Sequence, residues 1–359
     1  MTEKIALINT TNSISKRWTT PTNEVMGVKM MLNDLNYSVD VISKYRDDNL
    51  GIVSVDDVND LNHYDKVLII PGTFAFYHSD PKGFIFKIYS LLSKVKNPIY
   101  VLSTDVTVPL KQLYKQAQRF MDISEKDINI SAPIKFISLN QDSEVNNRLV
   151  DENEFNVAWK KYFNFDIFAA YCNLKNGVLD KVKNVKQDFD VIYGGAWRGG
   201  RRSDAFYNYL CDVPFKTGVY GTITQKQLSK LNDKYDVSYY PLILNKVPGN
   251  KVVEETSRGM ATFVPGEKNM QKMTTARVWE SMLSNAVTFI DESYDPNHTI
   301  MPTSSFNYLH NDKQEFIEKI DELVKSESFR KSLLKTQHDI VLSFDYNKWL
   351  DDFNQILNS

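Results

Sequence analysis

The sequence predicts an α/β protein built from two doubly wound parallel sheets in series. Three observations lead there. Short apolar runs alternate with segments of helical spacing from the first residues to about 139, the pattern of strands joined by crossover helices. After a polar, mixed stretch over 140–189, the same alternation begins again and continues to about 290. Finally, the run Asp190-Val-Ile-Tyr-Gly-Gly-Ala-Trp-Arg-Gly-Gly-Arg-Arg202 passes from extended backbone to glycines to cations, at a strand end where such sheets bind ligands. A polar hinge between two such units predicts a bilobed molecule with a central cleft.

In the first unit, Lys4 to Asn9 is apolar enough for a buried parallel strand, and a Thr/Asn/Ser loop follows to Asn23. Glu24 to Leu35 has helical apolar spacing. Further strands are expected at Val39–Ile42, Lys66–Ile70, Ile99–Leu102 and Pro133–Leu139, with helices at Phe84–Val95 and Pro109–Phe120. Those runs are apolar over four to seven residues and are bounded by polar or turn-forming ones. In the second unit, strands are expected at 190–193, 215–220, 237–243, 260–264 and 286–290. Helices are expected from Ser203 and near 224–231, 249–258 and 275–285, with a helical tail at Phe316–Val324, Phe329–Leu342 and Tyr346–Leu357.

With 359 residues the chain is long for one core and suits two domains. A formal charge of -2 excludes a uniformly basic nucleic-acid binder, while leaving room for a local basic face. Cys172 and Cys211 have no metal or redox spacing and read as reduced thiols. The start lacks a signal-peptide pattern, and no apolar run approaches the ~20 residues of a membrane span. The expectation is a soluble, intracellular monomer.

Glycines at 194 and 195 let main-chain N–H groups approach an anion, and Arg198, Arg201 and Arg202 supply guanidiniums that bind phosphate oxygens bidentately. The competing reading is a glycine turn into a solvated basic helix start. A second constellation is Thr274-Thr275-Ala276-Arg277-Val278-Trp279-Glu280. Arg277 and Glu280, three apart, share a helix face; they read as a nucleotide-binding pair or as a surface ion pair. In the first unit, Glu24 and Asp105 follow strands, where carboxylates suit acid–base work as well as turns and caps. Lys111, Lys115 and Arg119 line one helix face, a solvated stripe or a phosphate-backbone contact.

Several chemistries lack their motifs: GxGxxG after the first strand, GxxxxGK[ST], HExxH and G-x-S-x-G are all absent. Asp188-Phe189-Asp190 has the D-x-D spacing of metal-dependent sugar transferases but precedes a strand rather than ending one. Gln337-His338-Asp339 lies inside a helical run and reads as structural.

With these motifs in view, the chain resembles the DNA β-glucosyltransferase family of T-even bacteriophages. The likeness runs in order through most of the length. It includes the Pro21–Glu24 loop, Tyr64-Asp65, Thr104-Asp105 before Pro109, Asp190 to Gly195, Arg198 and Arg202, and Arg277-Val-Trp-Glu280. Asn285-Ala-Val, Ile290-Asp-Glu292 and Gln337-His-Asp-Ile340 complete it. The resemblance implies a GT-B fold, two Rossmann-like doubly wound domains facing a central cleft. The implied domains are 1–172 with a returning helix in 345–359, on the acceptor or DNA side, and 173–344 for the UDP-sugar.

The implied activity is inverting transfer of a sugar, glucose first, from a UDP-sugar to 5-hydroxymethylcytosine in phage double-stranded DNA. The modified DNA would resist nucleases in the cytoplasm of the infected host. Asp105 would be the general base and Glu24 would lie near sugar and acceptor. Gly195, Ala196, Arg198, Arg202 and Arg277 would hold the diphosphate, Glu280 the ribose, and Val247 the uracil. Tyr77, from the loop after the third expected strand, would fill the gap left by a flipped base or else be a core or rim tyrosine. Lys111, Lys115, Arg119 and Arg201 are the candidates for DNA contact. A divalent cation, Mg or Mn, would stimulate without a dedicated binding motif.

Two features depart from the family pattern: Ala196 stands where the family has serine, and the charge is slightly acidic where the family is basic. The alternatives are a UDP-pentose donor such as UDP-arabinose, and a GT-B transferase with a small-molecule acceptor. A non-catalytic nucleotide or DNA binder is disfavoured, because it has no need of Asp105 and Glu24.

Overall fold

The structure is a computed structural model that describes residues 2–9, 23–70, 81–103, 130–138, 157–162, 167–195, 201–221, 223–265 and 276–359. It divides into two compact units, Met1–Cys172 with Asp345–Ser359, and Asn173–Phe344.

The first unit holds strands β1 (Lys4–Asn9), β2 (Ser38–Ser43), β3 (Ile52–Ser54), β4 (Lys66–Ile70), β5 (Ile99–Ser103), β6 (Ile134–Ser138) and β7 (Val157–Tyr162). They form one parallel sheet in the order β3-β2-β1-β4-β5-β6-β7. Helices α1 (Asn23–Asp34), α2 (Pro81–Leu92) and α3 (Ile167–Lys175) accompany it, α3 running on into the second unit.

Parallel strands covered on both faces need apolar side chains on both, and β1 supplies them. Ala6 and Ile8 join Ile42, Val67, Ile69 and Ile88 on one face. Ile5 and Leu7 join Val41, Leu68, Leu102 and the α1 residues Val25, Val28 and Leu32 on the other.

The second unit continues with α4 (Val178–Val182), β8 (Phe189–Gly194), α5 (Arg201–Leu210), β9 (Thr217–Tyr220), α6 (Gln225–Tyr235) and β10 (Leu242–Leu244). Next come α7 (Val252–Thr256), β11 (Gly259–Val264), α8 (Ala276–Met282), β12 (Val287–Asp291) and β13 (Tyr308–Leu309). The order β10-β9-β8-β11-β12-β13 is again all parallel. Numbered within each unit, both sheets contain the 3-2-1-4-5-6 order of a dinucleotide-binding fold. In both, the direction of winding reverses beside the central strand, at β1/β4 and at β8/β11. Helices α9 (Lys313–Lys325) and α10 (Glu327–Leu342) close the second unit.

The last helix, α11 (Tyr346–Leu357), starts at an Asp345 cap that accepts from the Lys348 amide. Its Phe353, Ile356 and Leu357 pack into the core of the first unit. The Tyr100 phenol donates to the Leu357 carbonyl at 2.7 Å, and the Phe168 and Phe353 rings meet edge to face. Among the described residues, no helix is long and apolar enough to cross a membrane.

Three sequence expectations are corrected. The 140–189 stretch, polar and mixed in sequence, contains β7, α3 and α4. As an edge strand β7 tolerates the lysines that hid it. The strand expected over 237–243 is only Leu242–Leu244. The Ser238 and Tyr239 amides donate to the Asp212 carboxylate instead of to a ladder, and Pro241 has no N–H to give. The short strands β3 and β13 escaped notice, being too brief to show periodicity. The helix expected at Pro109–Phe120 lies outside the described residues.

Candidate functional site

At the carboxyl edge of the second sheet, the strand ends beside the winding reversal form a natural crevice. There β8 ends at Gly194, in register with Tyr220 at the end of β9. The Gly195 amide donates to the Tyr220 carbonyl at 2.9 Å, locking the two strand ends together.

Gly194 is required by contact. A Cβ there would sit 2.1 Å from Cζ and Oη of Tyr220, so the ring lies directly on the backbone. Gly221 faces a similar constraint, since its Cβ would come 2.0 Å from the Gly195 carbonyl oxygen. The glycines therefore serve close packing of the strand ends, in addition to any approach of an anion.

The Tyr220 hydroxyl is buried against α7. It lies 3.2 Å from the Val252 carbonyl and 2.5 Å from the Thr256 hydroxyl. Thr256 in turn reaches back to the Val252 carbonyl at 2.8 Å, one turn earlier in its helix. Arg277, on the first turn of α8, donates from Nη1 to the Tyr220 oxygen at 3.4 Å.

Burial works against the Arg277 charge, but Tyr220, Glu280 and Tyr193 outweigh it, so the guanidinium is held above its ordinary pKa. Burial raises the Tyr220 phenol, with Arg277 pulling the other way, and the hydroxyl keeps its proton. Glu280 is buried on the same helix, and Val247 packs on the apolar cluster that holds Tyr220 and Val252. A fixed cation, a nearby buried carboxylate and an apolar wall are what a nucleoside diphosphate requires.

The other motifs have structural partners. Asp188 pairs with Arg258 at 3.4 Å and with Lys186 at 3.6 Å, and Asp190 accepts from the Lys216 amide at 2.8 Å. The D-x-D spacing thus ties β8 to its neighbours at the amino end, away from the crevice. Gln337 donates to the carbonyls of Met282, Ser284 and Ala286 and accepts from the Thr288 amide. His338 Nε2 lies 2.9 Å from the Ser284 carbonyl, and burial lowers its pKa. These two residues clamp the α8–β12 turn, the structural role their helical position implied. Cys172 and Cys211 are both buried, and burial pushes the Cys211 thiol up to about 12.

The comparisons identify what this architecture belongs to. The model of the family described as bacteriophage T4 beta-glucosyltransferase matches residues 3–169. DNA beta-glucosyltransferase of Enterobacteria phage T4 is 31% identical over 364 residues, covering 99% of both chains. The chain belongs to this family. It is a glycosyltransferase with the GT-B fold.

The solved structure of the T4 phage β-glucosyltransferase with UDP and Mn2+ has a TM-score of 0.83 at 29% identity, covering 99% of this chain and 100% of that one. The same T4 enzyme with its UDP-glucose substrate gives 0.83 at 28%, with the same coverage.

Of the site residues expected from sequence, the structure brings Gly195, Val247, Arg277 and Glu280 to one region of the second unit. Arg202 is partly buried in the first turn of α5, and Arg201 opens that helix. Glu24 is the second residue of α1. Asp105, Tyr77, Lys111, Lys115, Arg119, Ala196 and Arg198 lie outside the described residues, as do Thr274 and Thr275 of the second constellation. Sequence reasoning missed Tyr220 and Thr256. A signal was present: Val-Tyr-Gly at 219–221 echoes Ile-Tyr-Gly at 192–194, two adjacent strands ending alike.

Proposed function

We propose that this glycosyltransferase moves glucose from UDP-glucose to the hydroxymethyl oxygen of 5-hydroxymethylcytosine in phage double-stranded DNA, with inversion at the anomeric carbon. Family membership supports the reaction class. The observation that carries the donor reading is Arg277, a charge-retaining guanidinium beside buried Glu280 at the carboxyl edge of the second sheet.

Residues 173–344 are then the donor-binding unit, and 1–172 with 345–359 the acceptor unit. Asp105 takes the proton from the hydroxymethyl group as its oxygen bonds to the anomeric carbon. Glu24 lies near sugar and acceptor. The bond from that carbon to the diphosphate oxygen breaks, and UDP leaves with the electron pair. Arg198, Arg202 and Arg277, with the backbone at Gly195 and Ala196, stabilise the charge that gathers on the diphosphate. Glu280 accepts from the ribose hydroxyls and Val247 lies against the uracil.

The acceptor base must leave the duplex to react. Tyr77 fills the stack behind it, and Lys111, Lys115, Arg119 and Arg201 meet the DNA, so binding weakens steeply with salt. Glucosylated DNA is thereby shielded from nucleases in the infected cell. A divalent cation, Mg or Mn, would stimulate the reaction by assisting release of UDP. Among the described residues no group of three or more His, Cys, Asp or Glu is arranged to hold a metal ion.

Incubation with hydroxymethylated duplex DNA and a panel of UDP-glucose and UDP-arabinose, then digestion and mass measurement of the nucleosides, tests the reading. The expected result is a hexose mass on hydroxymethyldeoxycytidine with UDP-glucose alone. No mass gain with any donor, or donor turnover indifferent to modified DNA, overturns it.

A further inference from the structure

We propose that Tyr220 is a positioning residue for the donor diphosphate: its oxygen, seated on Gly194 and anchored from α7, sets the direction of the Arg277 guanidinium. The proposal rests on the reading of Arg277 as a diphosphate ligand.

The ring has no room to move toward the strand, because it already occupies the space a Cβ of residue 194 would fill. Its oxygen has one proton and two lone pairs. The proton goes either to the Val252 carbonyl or to the Thr256 hydroxyl, which lie 3.2 and 2.5 Å away. In either arrangement one lone pair stays open to Arg277 Nη1, at 3.4 Å. A free arginine side chain has many rotamers, and bidentate phosphate binding needs one orientation of a planar fork. Restraining one Nη through a buried, neutral hydroxyl turns the opposite part of the fork outward and removes competing orientations before the nucleotide arrives. The ionised carboxylate of an aspartate or glutamate at this position would bind the guanidinium too well and oppose the diphosphate, whereas a phenol orients the cation without neutralising it.

The chain of contacts runs from the glycine pair through Tyr220 to Arg277. It explains why a glycine sits at 194 even before any ligand is considered. It also gives Thr256 a use beyond its own helix, as a hydrogen-bond partner that anchors the phenol oxygen.

The test is calorimetric titration of the full-length protein with UDP, alongside ligand-observed NMR with uridine, which lacks the phosphates. Tyr220→Phe keeps the ring and removes the oxygen. Its UDP affinity is expected to fall about tenfold, the size of one hydrogen bond to a charged group, with uridine binding unchanged. Thr256→Val is expected to shift UDP affinity in the same direction by less, and Thr256→Ser to restore it. These two variants keep the test open if the tyrosine variant folds poorly.

Wild-type UDP affinity in Tyr220→Phe, beside a large loss in Arg277→Ala, overturns the positioning role and leaves the arginine assignment standing. Equal losses for UDP and uridine mark Tyr220 as merely structural and also overturn it. An Arg277→Ala protein that binds UDP normally removes the arginine assignment and the proposal together.

Discussion

The two sheets share a strand order and differ at their carboxyl edges. In the second unit the central strand β8 ends in Gly194-Gly195, is pinned to Tyr220, and reaches α5 by residue 201. In the first unit the central strand β1 ends on a buried Asn9, and α1 begins only at Asn23. In sequence, Tyr77 falls between β4 and α2, and Asp105 falls two residues past the end of β5. A common topology therefore determines where chemistry can sit, while the residues after each strand decide which chemistry it is. On the function proposed above, the tight glycine edge holds the small, highly charged nucleotide and the edge of the first sheet meets the acceptor.

The largest effect expected is on the acceptor edge. Asp105→Asn should lower transfer by at least about a hundredfold while UDP binding stays at the wild-type level. Full activity in a quenched transfer assay would remove the carboxylate from its role and leave the comparison without its catalytic half.

A middle-sized effect belongs to the donor edge. Gly194→Ala places a methyl group against the Tyr220 ring, and the strain should cost ~1–3 kcal/mol in denaturant unfolding. UDP affinity should fall with it, since the ring cannot keep its seat. Unchanged stability and affinity would show that the edge is looser than its packing implies.

The smallest effect lies at the opposite, amino end of the second sheet. Burial depresses the His338 pKa, so the unfolded chain binds a proton that the folded one resists. The resulting stability is fully present above the unfolded value of about 6.5 and is lost as pH falls from there toward the lower folded value. Melting temperature should drop below that pH, and His338→Gln should flatten part of the drop without altering UDP affinity. A slope identical in both proteins would exclude this residue.

Much was legible from the chain alone. Apolar runs at 4–9, 66–70 and 190–193 read as buried strands, being shorter than a helix, rich in branched residues and bounded by polar or turn-forming ones. Arg277 and Glu280 fell three apart by helical arithmetic. The Asp190–Gly195 string drew attention to the end of β8, where backbone without Cβ precedes cations, a pattern that also fits a glycine turn into a basic helix start. These are local statements, decided by residues adjacent in sequence.

Tyr220 and Thr256 were not legible as site residues, because their relation to Arg277 spans 57 and 21 positions and exists only once β9, α7 and α8 converge. A tyrosine at a strand end reads as core until the glycine beneath its ring is known. The lysines of β7 likewise concealed a strand that only its pairing with β6 defines. Pattern reveals which residues are buried, through solvation; which of them meet is decided by packing, and packing belongs to the assembled sheet.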